Sequence, residues 1–263
     1  MPRLQRTAAR RLALTATVLA VASFAAGPVQ ADDRLPSHHC VVNGAAVPPG
    51  ETVFGTAGND IIECENDVEN VIVWGGGGDD NIRVKGLIID SQVLGGDGND
   101  TIQTSQLLPR EASSTLRGGT GDDTIIVPTV IGTTEHGATV YGDQGNDKIT
   151  TGSVFGSPGD HARGGGQVFG NDGSDRIYTG VVDFGGRVLG GSENDLIEAK
   201  GVGNETGGTI QGGPGQDTIR ATGDKVLLAG PGWGVVDGGL GQDTCKVEHA
   251  SPDRARSSIS GCP

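Results

Sequence analysis

The chain has 263 residues, 48 of them glycine, with aromatic side chains at 3% and a formal net charge of −14. So little aromatic volume, with about two and a half times the usual share of glycine, excludes a conventional layered core built on large side chains. The acidic balance argues against nucleic acid and anionic membrane surfaces as partners, and for cations.

In chain order, residues 1–31 read as a signal peptide. "MPRLQRTAARR" is a basic leader, "LALTATVLAVASFAA" an apolar run, and Val29 and Ala31 are the small residues of a cleavage site before Asp32. The apolar run is too short for a confident span, and no later segment could cross a bilayer, so no membrane span is expected after cleavage. Those 31 residues hold four arginines and no acidic group, so the remainder stands at −18. Residues 32–52 then read as an N-terminal cap containing His38, His39 and Cys40.

From residue 53 to 245 one nonapeptide recurs nine times: "FGTAGNDII" at 54, "WGGGGDDNI" at 74, "LGGDGNDTI" at 94, "RGGTGDDTI" at 117, "YGDQGNDKI" at 141, "FGNDGSDRI" at 169, "LGGSENDLI" at 189, "QGGPGQDTI" at 211 and "DGGLGQDTC" at 237. Counting from its first glycine, position six is always aspartate: Asp60, Asp80, Asp100, Asp123, Asp147, Asp175, Asp195, Asp217 and Asp243. A flexible glycine-rich linker would not hold that register. Two residues beyond each aspartate stands isoleucine, from Ile62 to Ile219, and finally Cys245. Two residues before each first glycine stands Val53, Val73, Val93, Leu116, Val140, Val168, Val188, Ile210 or Val236. Alternation on both sides of a Gly-Asp turn predicts strands. The fold expected is all-β: a parallel solenoid of about nine coils of 20–28 residues, one turn per coil, with two aliphatic columns as a narrow core. Short apolar groups in the return segments ("KGLII", "SQLLP", "DKVLL") suggest a third short strand, with length variation absorbed there.

Stacked turns would set an aspartate every ~4.8 Å along one edge, where carboxylates repel unless cations lie between them. Calcium suits such an edge, because it takes six to eight oxygen ligands in adaptable geometry. The nonapeptide G-G-x-G-x-D-x-(aliphatic)-x resembles the RTX (hemolysin-type) calcium-binding repeat over residues 53–245. The resemblance implies a right-handed parallel β-roll or β-helix with Ca²⁺ between stacked turns. On that analogy the ligands are the nine motif aspartates and carbonyls of the glycine turns Gly75, Gly95, Gly118, Gly142, Gly170, Gly190, Gly212 and Gly238. The chain departs from the family in three ways. Typical arrays run nonapeptides head to tail and line both edges with calcium, whereas one copy per coil gives a single calcium edge. The toxin-type members leave the cell by a C-terminal signal, and here the signal is N-terminal. Gly55-Thr56, Gly142-Asp143 and Gly170-Asn171 lack the second glycine and Glu193 replaces the fourth-position one, so these turns are expected to bind weakly or differently.

The four cysteines lie at the two ends, and in an exported chain an even count implies disulfides. Nine coils make a rod of about 40 Å. Bridged Cα atoms must lie within about 7 Å, so Cys40–Cys64 and Cys245–Cys262 are expected, one for each cap, the second cap being residues 246–263.

An enzyme is not expected. Arg83, Lys148, Arg176 and Arg220 fall in different columns, no H-E-x-x-H occurs, and His38, His39, His136, His161 and His249 lack zinc spacing. The residues after the motif aspartates are too interrupted for an ice-binding lattice. The expectation is a secreted, extracellular, monomeric calcium-binding repeat protein, with an extracellular polysaccharide or cell surface as a further candidate partner. The alternatives are a surface adhesin and, behind it, a polysaccharide-acting β-helix enzyme.

Overall fold

The computed structural model describes residues 38–156, 165–203, 207–223, 227–229, 233–249 and 257–262. The signal segment 1–31, the first part of the N-terminal cap and His161 lie outside the described residues. Among the described residues there is no helix, and so none long and apolar enough to cross a membrane.

Each coil begins with a strand leading into the motif glycines, such as Ile72–Gly77 or Gln92–Asp97. These strands form one ten-stranded parallel sheet, from Val53–Phe54 to Ser258–Ser260. Beyond each motif aspartate a second strand begins, from Ile61–Cys64 to Thr244–Cys245. Nine such strands stack in parallel, so the chain makes about eight turns between the first and the last. A third strand lies in the return segment, as in Leu87–Ile89 and Val181–Asp183. In the fourth and fifth coils the second and third strands merge into Thr124–Ile131 and Lys148–Phe155.

The register explains why the aliphatic columns exist. Ile62, Ile82, Ile102, Ile125, Ile149, Ile177, Ile197 and Ile219 pair directly from coil to coil. The column from Val53 to Val236 does the same on the opposite sheet and continues to Ile259. Every member of the first column is 0% exposed, as is every member of the second through Val236. Full burial of each aliphatic side chain stabilises by roughly 1.5–3 kcal/mol, without need of aromatics. The two-column core expected from the repeat is incomplete, because the return strands supply a third column. Val68, Ile88, Leu107, Val130, Val154, Val182 and Val202 stack there, all 0% exposed. β-Branched residues fill most of these places because their stiff side chains fit a pleated, fully buried stack.

The two ends are built differently. Cys40–Val42 and Ala45–Val47 form a hairpin that lies antiparallel on Ile61–Cys64. Its two-residue turn, Asn43-Gly44, has φ of 51° and 80°, the left-handed pair that a tight hairpin needs. Cys40 faces Cys64 across this pairing and is bonded to it. At the other end Val247–His249 and Ser258–Ser260 extend the parallel stacks, so the segment read as a C-terminal cap contributes strands to both sheets. Cys245 is bonded to Cys262.

Candidate metal centre

All nine motif aspartates are buried, with exposures of 0–3%. Each sits where the first strand turns into the second, and each carboxylate has two distinct oxygens. Oδ1 accepts the backbone N–H of the motif aspartate one coil earlier. The donors Asp60, Asp80, Asp100, Asp123, Asp147, Asp175, Asp195 and Asp217 reach the next aspartate at 2.7–2.9 Å. Oδ2 of Asp80, Asp100, Asp123, Asp147, Asp175, Asp195, Asp217 and Asp243 is buried and has no hydrogen-bond partner. A buried ionised oxygen without a partner is a costly group, and eight of them in one column require a common explanation.

The first glycine of each turn shows what surrounds that oxygen. A Cβ on Gly95 would lie 2.2 Å from Asp100 Oδ2 and 2.5 Å from the Gly118 carbonyl oxygen of the next coil. The same two kinds of oxygen converge on Gly75, Gly118, Gly142, Gly170, Gly190 and Gly212, at 2.0–2.7 Å. No side chain fits there, so the turn is an all-oxygen cradle of one carboxylate and backbone carbonyls. That donor set fits a hard divalent cation such as Ca²⁺. Among the described residues no three carboxylate, histidine or cysteine side chains converge on one point, so each site would rest on one carboxylate plus main chain.

Electrostatics agree. Burial is the first cause that raises the carboxyls from Asp80 to Asp217, partly offset by the N–H of the preceding aspartate, with neighbouring carboxylates adding to the rise. Asp100, Asp147 and Asp217 are pushed up to about 6, Asp195 to about 7, and Asp123 and Asp175 to about 8, while Asp80 is raised less. At neutral pH a bound cation would relieve both the burial and the mutual repulsion.

The imperfect copies divide into two kinds. Asp143 and Asn171, standing in for the second glycine, adopt φ of 82°, and Glu193 adopts 75°, the left-handed region used by the glycines they replace. Asp and Asn tolerate that region better than other residues. Asp147, Asp175 and Asp195 in those turns keep the unpartnered oxygen. The first turn is different: Thr56 donates its N–H at 2.5 Å and its Oγ1–H at 2.9 Å to Asp60 Oδ2, and Asn43 Nδ2 donates to Asp60 Oδ1. Burial alone would raise the Asp60 carboxyl, but these three donors outweigh it and hold the group below its ordinary value.

Position five of the motif, which sequence reasoning does not single out, forms a second ladder. Asn59, Asp79, Asn99, Asp122, Asn146, Ser174 and Asn194 each accept, through the side-chain oxygen, the backbone N–H of position five in the following coil, at 2.7–3.3 Å. This exposed ladder runs opposite in sense to the buried one. Its signal is the near-unbroken run of Asn, Asp and Ser, residues that bond local main chain.

Comparison with known families agrees with this geometry. The model of the RTX calcium-binding nonapeptide repeat (4 copies) matches residues 50–63, 69–84, 90–106, 112–126, 138–153 and 202–225. The chain is a parallel solenoid carrying RTX calcium-binding nonapeptide repeats across much of its length, with a stacked aspartate ladder. No curated protein and no solved structure matches it. The turns at 169, 189 and 237 lie outside the matched segments, but Asp175, Asp195 and Asp243 carry the same unpartnered oxygen.

Proposed function

We propose that this is an exported calcium-binding solenoid in which Ca²⁺ sits between stacked turns and supplies much of the free energy of folding. The observation that carries the reading is the column of eight buried, unpartnered Asp Oδ2 atoms, seven of which converge with a glycine carbonyl of the next coil on the first glycine of their turn. Calcium, when bound, neutralises these carboxylates and ties adjacent coils together. The chain's residues do the rest. Glycine leaves room for the oxygens, and the two side-chain ladders align the coils. Export is supported by the leader pattern of residues 1–31 and by the two disulfides, which persist in oxidising compartments. The role is binding and structural rather than enzymatic, in keeping with a dispersal of basic residues over separate columns.

Circular dichroism of the chain lacking residues 1–31, titrated with Ca²⁺ and separately with Mg²⁺, tests the reading. The expected result is little β signal in chelator and a cooperative gain with Ca²⁺ alone. A spectrum already folded in chelator and unmoved by Ca²⁺ would remove calcium from the account.

A second reading, surface adhesion or polysaccharide contact, is favoured by one observation. On the outer face of the ten-stranded sheet, Phe54 and Trp74 are 57% and 43% exposed and meet edge to face at 5.9 Å. Farther along the same column Tyr141 and Phe169 stack at 5.2 Å, with Arg117 4.3 Å from the Tyr141 ring centre. Flat exposed rings suit the apolar faces of sugars. Sedimentation with insoluble β-linked glucan or chitin tests it, and equal retention of wild type and Trp74→Ala would argue against this face.

A further inference from the structure

The cation ladder is offset by one coil from the motif ladder. Each cradle joins the Oδ2 of one aspartate to the first-glycine carbonyl of the following coil. By that rule the first would join Asp60 to Gly75, and the last aspartate, Asp243, would need a tenth coil. At the first place the protein has already supplied the partners. Asp60 Oδ2 holds the Thr56 N–H and hydroxyl, Oδ1 holds Asn43, and Asn43 Oδ1 also accepts the Ile61 N–H at 2.9 Å. Thr56 is the one second-position residue without a left-handed φ, which differs from the other eight turns. The hairpin asparagine thus stands in for the amide of a preceding coil.

The opposite end is open in the complementary way. Asp243 is 2% exposed and its Oδ2 has no partner. A Cβ on Gly238 would lie 2.7 Å from that oxygen and 2.2 Å from the carbonyl oxygen of Gly261. Gly261 therefore occupies the place that Gly95 or Gly212 holds in other cradles, with Cys262 following it where most turns have their second glycine. It arrives there because Ile259 pairs with Val236 and Ser260 with Asp237, so the next residue falls opposite Gly238. Its φ is 62°, and a Cβ on it would meet Gly239 N at 2.6 Å and Asp237 Oδ1 at 2.8 Å, which leaves glycine as the residue that fits. The strand before it is only three residues long, and the adjoining Cys262 is bonded to Cys245, two residues beyond Asp243. An open cavity of about 780 Å³ lies between Asp243, Thr244, Gly261 and Cys262.

We propose that Asp243 and the Gly261 carbonyl form a terminal calcium site whose second half is this disulfide-tethered strand rather than a repeat, while the turn of Asp60 closes without a cation. The ladder then holds eight cations from Asp80 to Asp243, matching the eight unpartnered oxygens. The Cys245–Cys262 bond acts as a positioning element: it keeps the Gly261 carbonyl over Asp243 before any metal arrives. This inference rests on the calcium reading above and extends it to a site completed outside the repeat.

Native mass spectrometry of the chain lacking residues 1–31, in excess Ca²⁺, counts the ions directly. The wild type is expected to carry eight, Asp60→Asn eight, and Asp243→Asn seven. Paired Cys245→Ser and Cys262→Ser is expected to leave the first disulfide intact and carry seven at the Ca²⁺ concentration that just saturates the wild type. Should Asp243→Asn give no β signal, Gly261→Ala carries the test, with seven again expected. Loss of an ion from Asp60→Asn with none lost from Asp243→Asn overturns the offset. Eight ions on the paired serine variant at that same concentration overturns the role of the disulfide. A wild type that binds no calcium would instead sink the calcium reading itself, so the two failures are distinguishable.

Discussion

Asp123→Asn is predicted to change sign with calcium. Asp123 is 1% exposed, its Oδ1 accepts the Asp100 N–H at 2.7 Å, and its Oδ2 is unpartnered beside the Gly142 carbonyl. Asparagine keeps the Oδ1 acceptor and replaces the bare oxygen with an N–H₂ that can donate to that carbonyl. Without metal, the wild-type carboxyl is raised to about 8, whereas in the unfolded chain it ionises freely near 4. At pH 7 the folded state therefore holds a proton that the unfolded state releases, a cost of at most about 4 kcal/mol at about 1.4 kcal/mol per pH unit. The variant removes that cost, so in chelator it should fold more readily, measured as a lower concentration of a folding osmolyte at the midpoint. In calcium the order reverses once the lost site is worth more than that cost, which takes Ca²⁺ above about a thousand times its Kd, where the site contributes about 4.1 kcal/mol. Urea midpoints in saturating Ca²⁺ read that loss. If the variant is harder to fold in both conditions, the unpartnered oxygen serves as an ordinary structural acceptor and the cation argument fails.

Acid should partly replace calcium. The carboxyls of Asp100, Asp123, Asp175 and Asp195 are raised on folding, so their contribution is fully present below about 4, where the unfolded chain ionises, and is lost as pH rises from there through about 6 to 8. In chelator the β signal is expected to be strongest near pH 4 and to fall from there to about pH 8, and in Ca²⁺ to persist; a pH-independent signal in chelator would contradict it. Ile125→Ala, at a 0% exposed place between Ile102 and Ile149, should cost about 2–5 kcal/mol by urea unfolding in Ca²⁺, and a loss under about 1 kcal/mol would mean the column is loosely packed. Gly96→Ala sets a Cβ 2.1 Å from the Gly76 carbonyl oxygen at φ 129° and should prevent coil stacking, seen as loss of β signal in Ca²⁺. Gly44→Ala, at φ 80° with nothing within 4 Å, should cost only about 1–2 kcal/mol, and equal effects of the two would discount the close approach of successive coils.

The parts of the molecule that repeat are the parts that can be read. Ile62 and its successors lie a fixed two residues from an invariant aspartate, so spacing alone declares the column. The third column is equally regular, with Val68 and Ile88 eight residues beyond the motif aspartate and Leu107, Val130, Val154, Val182 and Val202 seven beyond. It reads only as scattered apolar groups, because the variable loops that follow it disguise the register. The split between the two carboxylate oxygens is not legible, since it depends on how close the next coil's glycine carbonyl comes. Asn43 and Thr56 close the first turn through contacts that occur once, and a contact without a period leaves no pattern to count. Gly261 lies between these cases: Ile259 and Gly261 keep the spacing of Val236 and Gly238, the aliphatic residue and first glycine of the motif.

The two side-chain ladders run in opposite senses, one handing each aspartate's N–H to the next coil and the other taking the next coil's N–H at position five. A coil is therefore held by both neighbours at once, and a single residue lost from a turn would leave unmatched partners above and below it. Loss of one complete coil, such as residues 81–100, instead brings Asp80 into the place of Asp100 and leaves every rung with a partner. Length in such a rod is inherited in whole coils, each worth about 4.8 Å. The uneven loops on the far side are free to drift one residue at a time.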